Sequence, residues 1–183
     1  MRLLTLAAAL AAAALIAAAP LSAFAQQNSV AADPCARYKW DVTRERALFA
    51  APASSITAAQ DGRAPPRIAT NRAYRVKLAP AAQVLFPTSP GKASPPEGNY
   101  SGVLAFDAPV TGNYRVAVDL PMWIDVVADA RLLPASDYEG QHGCDAPRKI
   151  VQFALEAKKP LILQLSGASE AAVRVVIVRA SGD

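Results

Sequence analysis

Histidine is nearly missing from this chain: of its 183 residues only His142 is one. That scarcity empties much of the catalytic menu. An iron site of two histidines and a carboxylate needs a second imidazole, and so does a two- or three-histidine zinc site. A Ser-His-Asp relay could be built only on His142, and no GxSxG elbow or comparable nucleophile context appears. Cysteine is scarce as well. Cys35 and Cys144 are the two present, without CxxC spacing and with no histidine beside Cys35, which argues against a redox or metal-binding thiol pair. No P-loop, dinucleotide fingerprint or calcium-loop pattern occurs. Beyond residue 25 no stretch is apolar enough to span a bilayer.

What is present begins with an export signal. Arg2 supplies a positive n-region, Leu3 to Ala19 is an apolar run interrupted only by Thr5, and Ala23-Phe24-Ala25 fits a signal peptidase site. No cysteine follows the apolar run directly, so a lipoprotein signal is not expected. Cleavage after Ala25 takes 25 residues from 183 and leaves 158. That length suits one domain and buries roughly 70% of the unfolded surface. Two cysteines in an exported chain favour a disulfide. The Cys35–Cys144 bridge would close a loop of about 110 residues, for which chain entropy gives roughly 4–5 kcal/mol as an upper figure. It would pin the N-terminal segment onto the rest. The formal charge of +4 falls to +3 without Arg2. Lysine and arginine alternate with apolar residues, as at Arg75, Lys77 and Arg115. That is the pattern of solvated strand faces, not of a nucleic-acid surface.

The stretch from Tyr100 to Asp129 organises the chain. It reads as strands over 100–107, 113–119 and 122–128, broken at Pro109–Gly112 and Leu120-Pro121. In the second strand Tyr114, Val116 and Val118 share one face, and Arg115 and Ala117 the other. Further strands are expected over 73–78, 83–86, 150–155, 161–165 and 172–179. The last two are nearly continuously apolar and therefore central. Asp41 as N-cap and Glu45 in the first turn predict a short helix over 42–50, with Tyr38 and Trp40 packed beside the cysteine. Residues 52–70 read as a linker, 87–98 as an exposed loop and 132–148 as irregular. The expected organisation is a signal peptide over 1–25, an N-terminal segment with helix and linker over 26–71, and a sandwich over 72–183. The fold class is all-β, an antiparallel β-sandwich of jelly-roll type with one short N-terminal helix.

Candidate sites are few. Asp137, Glu139, His142 and Asp145 form the densest polar cluster; a glycine-punctuated, solvated loop explains them more simply than a cation does. Asp119 and Asp125 fall on neighbouring expected strands, as a glycosidase pair would require, but two carboxylates and one aromatic do not make that chemistry. Asp125 sits inside the apolar run Trp123-Ile124-Asp125-Val126-Val127. It either faces outward or, if inward, needs a partner such as Arg148 or Lys149. Trp123, Asp125 and Tyr138 are the candidate ligand-binding residues, since sugar rings stack on exposed aromatics; Tyr100 is a further aromatic for that purpose. No catalytic residue, metal or cofactor is implied.

Gly112-Asn113-Tyr114-Arg115-Val116 resembles the G-x-Y-x-V element of bacterial pre-peptidase C-terminal domains. The resemblance spans Arg72–Arg179 and implies a small secreted jelly-roll sandwich of the kind appended to exported enzymes. The calcium-ligand aspartates typical of that family are not clearly matched here, and no catalytic domain is attached. The layout Cys35, Trp40, Glu45, then Trp123–Val127, then Cys144 with Arg148-Lys149, is also similar to small exported bacterial proteins of unknown function. Some of these carry a homogentisate dioxygenase label, which implies an iron triad that His142 alone contradicts. The resulting expectation is a periplasmic, non-catalytic binding or accessory module of the cell envelope, a monomer with an envelope protein or glycan as partner. The rivals are a carbohydrate-binding module and an oxygenase or hydrolase.

Overall fold

Eleven strands, one α-helix and two short 3-10 turns arise in a computed structural model that describes residues 33–92 and 99–180. The export signal and its cleavage site lie outside the described residues, as does the end of the 87–98 loop. The helix α1 is Thr43–Ala50. The strands are β1 Ser54–Thr57, β2 Ala73–Lys77, β3 Ala79–Pro80, β4 Tyr100–Phe106, β5 Gly112–Val118 and β6 Trp123–Ala128. They continue with β7 Arg131–Leu132, β8 Ala135–Gly140, β9 Lys149–Leu155, β10 Leu161–Ala168 and β11 Ala172–Arg179.

One sheet has the order β1-β2-β11-β5-β9-β8 and the other β3-β4-β10-β6-β7. Every pairing between named strands is antiparallel except β1 with β2. Eight of these strands carry the topology. Counted in chain order, the first, eighth, third and sixth (β2, β11, β5, β9) lie side by side. They face the second, seventh, fourth and fifth (β4, β10, β6, β7). That nested order is a jelly roll. β10 and β11 are central in their sheets, as their apolar runs require. β4, β5 and β6 follow one another in sequence yet do not pair, because the chain changes sheet at each connection.

Between the sheets lies one apolar core, with Tyr74, Val76, Leu104, Phe106, Tyr114, Val116, Ile124, Phe153, Leu163 and Ile177 among its buried members. Tyr114 is 1% exposed, and its hydroxyl escapes the core by donating to the Val110 carbonyl at 2.9 Å. The turn before β5 is thereby fixed by the first core residue after it.

The segment over 52–70 is not the linker its composition suggests. β1 adds to β2 at the edge of the first sheet. Ala59 and Ile68 then bond the free edge of β4, with Ala59 and Val103 exchanging two backbone bonds of 2.9 Å and Ile68 N–H donating to Ala105 at 2.8 Å. Ala58 and Ile68 enter the core. Serines and prolines broke the period, but edge pairing needs only backbone groups. Gly102 records how closely this segment approaches: a Cβ there would sit 2.4 Å from the Ala58 Cβ. Two other expectations also change. Residues 83–86 form no strand, only the isolated bridge of Asp61 to Leu85. Residues 132–148, expected to be irregular, contain the exposed edge strand β8, whose polar alternation carries no apolar signal.

A second, smaller apolar cluster covers the outer face of the first sheet. Cys35, Tyr38, Val42 and Phe49 pack there on Ala117, Ile150 and Val176. Cys35 and Cys144 form the disulfide that ties this strap down. The helix starts one residue later than expected, so Val42 and not Asp41 is its N-cap and no side chain caps it; Asp41, one residue before, accepts from Thr43 N–H at 2.9 Å through Oδ1. Beneath α1 a charge pair is buried. Arg115 Nη1 lies 3.5 Å from Glu45 Oε1, with side-chain exposures of 6% and 2%. Arg115 also donates to Gln152 Oε1 and the Asp41 carbonyl, each at 3.2 Å, and lies 4.8 Å from the Trp40 ring centroid. Burial pushes the Glu45 carboxyl above its usual range despite the guanidinium.

Two outcomes follow. Gly102→Ala is expected to destabilise the protein by about 1–3 kcal/mol, because the Ala58 Cβ it would meet is fixed to the backbone and cannot swing aside. A stability unchanged in urea titration would refute that close approach. Arg115→Met leaves Glu45 buried without its counter-charge, at an expected cost of about 3–5 kcal/mol at pH 7. A carboxyl with a raised folded pKa contributes stability at low pH that is lost as pH rises through that pKa. The loss should therefore shrink from pH 7 to pH 5 in this variant, and denaturation at the two pH values checks it.

Candidate functional site

Strand alternation decides where the candidates go. In β6, Ile124, Val126 and Ala128 point into the core, so Trp123, Asp125 and Val127 point to the outer face of the second sheet. Asp125 is thus outward, yet it is only 9% exposed. The reason is a cover: residues 88–91 run across this face. Thr88 N–H donates to Gln164 Oε1 at 3.2 Å, and Gly91 N–H donates to Asp125 Oδ2 at 3.1 Å. The other carboxylate oxygen, Oδ1, accepts from Trp123 Nε1 at 3.0 Å. Asp125 therefore finds its partners in a loop amide and a neighbouring indole, not in Arg148.

Across the sheet, Gln164 stands opposite Asp125 and Ser166 opposite Trp123. Ser101, Gln164 and Ser166 are each at most 4% exposed. Together with Asp125 they make a buried polar stripe on a strand face. Ser101 Oγ and Gln164 Nε2 have no hydrogen-bond partner among the described residues. Buried polar groups are nearly always bonded, so this face holds unsatisfied polar capacity.

At the end of the stripe two ammonium groups meet the half-buried indole of Trp123. Lys149 Nζ lies 4.9 Å from the ring centroid and Lys92 Nζ 5.8 Å. Lys149 comes from the start of β9, in the opposite sheet, and donates to the Met122 carbonyl at 2.8 Å. Burial, with the nearby Lys92 charge adding to it, lowers the Lys149 pKa; Asp125 opposes the shift.

The remaining candidates lie elsewhere. Tyr138 is 69% exposed on β8, the edge of the other sheet, so the structure does not gather it with Trp123 and Asp125. Asp119 follows β5, and Asp119 Oδ1 accepts from Arg174 N–H at 2.7 Å. Burial raises its pKa. Asp119 and Asp125 therefore belong to different sheets, each tied to a backbone amide, and do not flank a common space. The acidic cluster is likewise occupied. Lys39 Nζ bonds Asp137 at 2.5 Å, and Glu139 accepts from Lys39 N–H at 2.9 Å and from Gln141 Nε2 at 2.5 Å. His142 Nδ1 pairs with Arg148 Nη2 at 2.9 Å and must accept, since a guanidinium only donates. Among the described residues no three of His, Cys, Asp and Glu converge on a metal position. Sequence reasoning offered Lys149 only as a partner for an inward Asp125 and missed Lys92, Gln164 and Ser101; the structure brings both lysines to the Trp123 ring and sets Gln164 opposite Asp125.

A shallow cleft of about 390 Å³ opens where β7 and its turn approach the β9–β10 connection, lined in part by Asp129, Arg131, Glu156 and Lys159. Lys159 closes on Glu156 at 2.8 Å and Asp129 at 3.7 Å, so these three charges are paired with one another.

No family model and no curated protein matches the chain. Among solved structures, the chain aligns with the pre-peptidase C-terminal domain of a collagenase from Bacillus anthracis. The alignment covers 69% of this chain and 97% of that one, at 11% identity and a TM-score of 0.37. The jelly-roll architecture is given by the strand order itself.

Asp125→Asn retains one acceptor and turns its amide nitrogen toward an N–H donor. The expected cost is about 1–3 kcal/mol, with a red shift of Trp123 emission as the loop amide and indole lose their common acceptor. Unchanged stability and unchanged emission would show that this carboxylate does not hold the loop.

Proposed function

We propose that this chain is an exported, periplasmic, non-catalytic β-sandwich that serves the cell envelope as a binding or accessory module. The observation that carries the reading is the Trp123–Asp125 flank. Here a half-buried indole, two lysines and a buried polar stripe converge, and the acid among them, Asp125, has both oxygens engaged by N–H donors. Such an arrangement suits recognition of a ligand. The disulfide supports export, because such bridges persist in oxidising compartments. Among the described residues no helix is long and apolar enough to cross a membrane. The covered sheet faces support a rigid scaffold, on which a site needs little ordering to bind.

A carbohydrate ligand is the more specific form of this reading. Trp123 favours it, since the indole keeps part of its surface accessible beside charged donors.

Two measurements test the proposal. Intact mass of the protein recovered from the periplasm is expected to match a chain starting at Gln26, with no titratable thiol. A thermal-shift screen against glycans and envelope extracts is expected to raise the melting temperature for at least one fraction. Uncleaved protein, free thiols or turnover of a substrate by contaminant-free protein would each remove part of the reading.

A further inference from the structure

We propose that Lys92 and Lys149 receive the anionic group of an acidic saccharide whose ring lies against the indole of Trp123. The inference rests on the binding-module reading and adds the chemical class of the ligand.

Charge comes first. Two ammonium groups face one ring, and among the described residues neither has a carboxylate within ion-pair distance. The acidic group beside them, Asp125, has both oxygens taken by the Gly91 amide and the Trp123 indole. It balances one positive charge of the two. An incoming anion would relieve the repulsion that, together with burial, holds the Lys149 pKa down.

Placement comes second. Lys149 is held by the Met122 carbonyl, so its position is set before any ligand arrives. Lys92 is exposed, and at 5.8 Å from the centroid it lies at the outer limit of cation–π contact. It can leave the ring at little cost and meet an anion over it. Because Asp125 accepts from the indole N–H, the ring plane is fixed as well. A rigid aromatic face beside two donors fits a pyranose carrying a carboxylate or phosphate better than a bare ion, which would leave the face unused.

Isothermal titration calorimetry at low salt tests this on the mature protein. The ligands are a galacturonic acid trimer, glucose 6-phosphate, maltotriose and inorganic phosphate. The expected result is binding of an acidic sugar that weakens at high salt. Lys92→Gln and Lys149→Met should each reduce it about tenfold or more, as loss of a charged hydrogen bond does. Lys92→Gln changes an exposed side chain, so it remains informative if Lys149→Met unfolds the protein. Trimer and glucose 6-phosphate separate carboxylate from phosphate as the anionic source, and binding of either supports the inference. Maltotriose binding as tightly as the trimer would overturn the anionic class and leave the binding-module reading standing. Inorganic phosphate binding as tightly as either acidic sugar would overturn the saccharide part. If no ligand binds while the envelope-extract thermal shift persists, this inference falls alone; if that shift is absent as well, both fall.

Discussion

The central strands of both sheets of this sandwich are buried on both faces almost throughout, and the rest of the structure answers to that constraint. β5 shows it best. Tyr114, Val116 and Val118 face the core, while Arg115 and Ala117 face the other way, and none of the five is more than 5% exposed. A two-layer sandwich ordinarily leaves its outer faces to water. Here water must be kept off them, at roughly 25 cal/mol for each Å² of apolar surface covered. The cover comes from irregular chain: the disulfide-tied strap and α1 on the first sheet, residues 88–91 on the second. The strands set the architecture, and the segments between them make it watertight.

A cover laid over a strand face traps whatever polar residue stands there. On the first sheet it traps Arg115, and the remedy is a second charge, Glu45, delivered by the same helix that does the burying. On the second sheet it traps Asp125, and the remedy is a pair of N–H donors, one from the cover and one from the strand itself. The two solutions differ in consequence. The Arg115–Glu45 pair is enclosed on every side by Trp40, Gln152 and the turn before α1, so it can only hold the helix. The Asp125 arrangement lies where the cover ends, so it also shapes a surface.

Much of the frame was legible in the sequence. Continuous apolar runs placed β10 and β11 centrally, and alternation in β5 named its core face. Cysteine parity gave the bridge and what it pins. Less was legible where backbone does the bonding. Residues 54–57 and 58–68 complete two sheet edges with amides and carbonyls, which leave no mark on composition. β8 was invisible for a related reason: an exposed edge strand needs no apolar face. The candidate site divided along the same line. Trp123 and Asp125 stood out as an aromatic and an acid in an apolar run. Lys149, Gln164 and Ser101 come from other strands, and spacing within one segment does not show that Lys149 reaches the Trp123 ring from the opposite sheet or that Gln164 stands across from Asp125. Tyr138 was singled out by type alone, and topology put it on the opposite sheet.

The same constraint limits where this molecule can bind anything. Once a sheet face is covered, its side chains are withdrawn from solvent, and recognition must move to the seams where a cover stops. The seam on the first sheet, at the acidic residues of β8, is already closed by Lys39 reaching back from the strap to Asp137. The seam on the second sheet is different. There the loop delivers Gly91 to Asp125 and, one residue later, Lys92 to the indole, while Lys149 crosses from the other sheet to the same ring. Covering this face and assembling a charged aromatic surface are thus one structural event, because the amide that satisfies Asp125 also fixes the loop that carries Lys92.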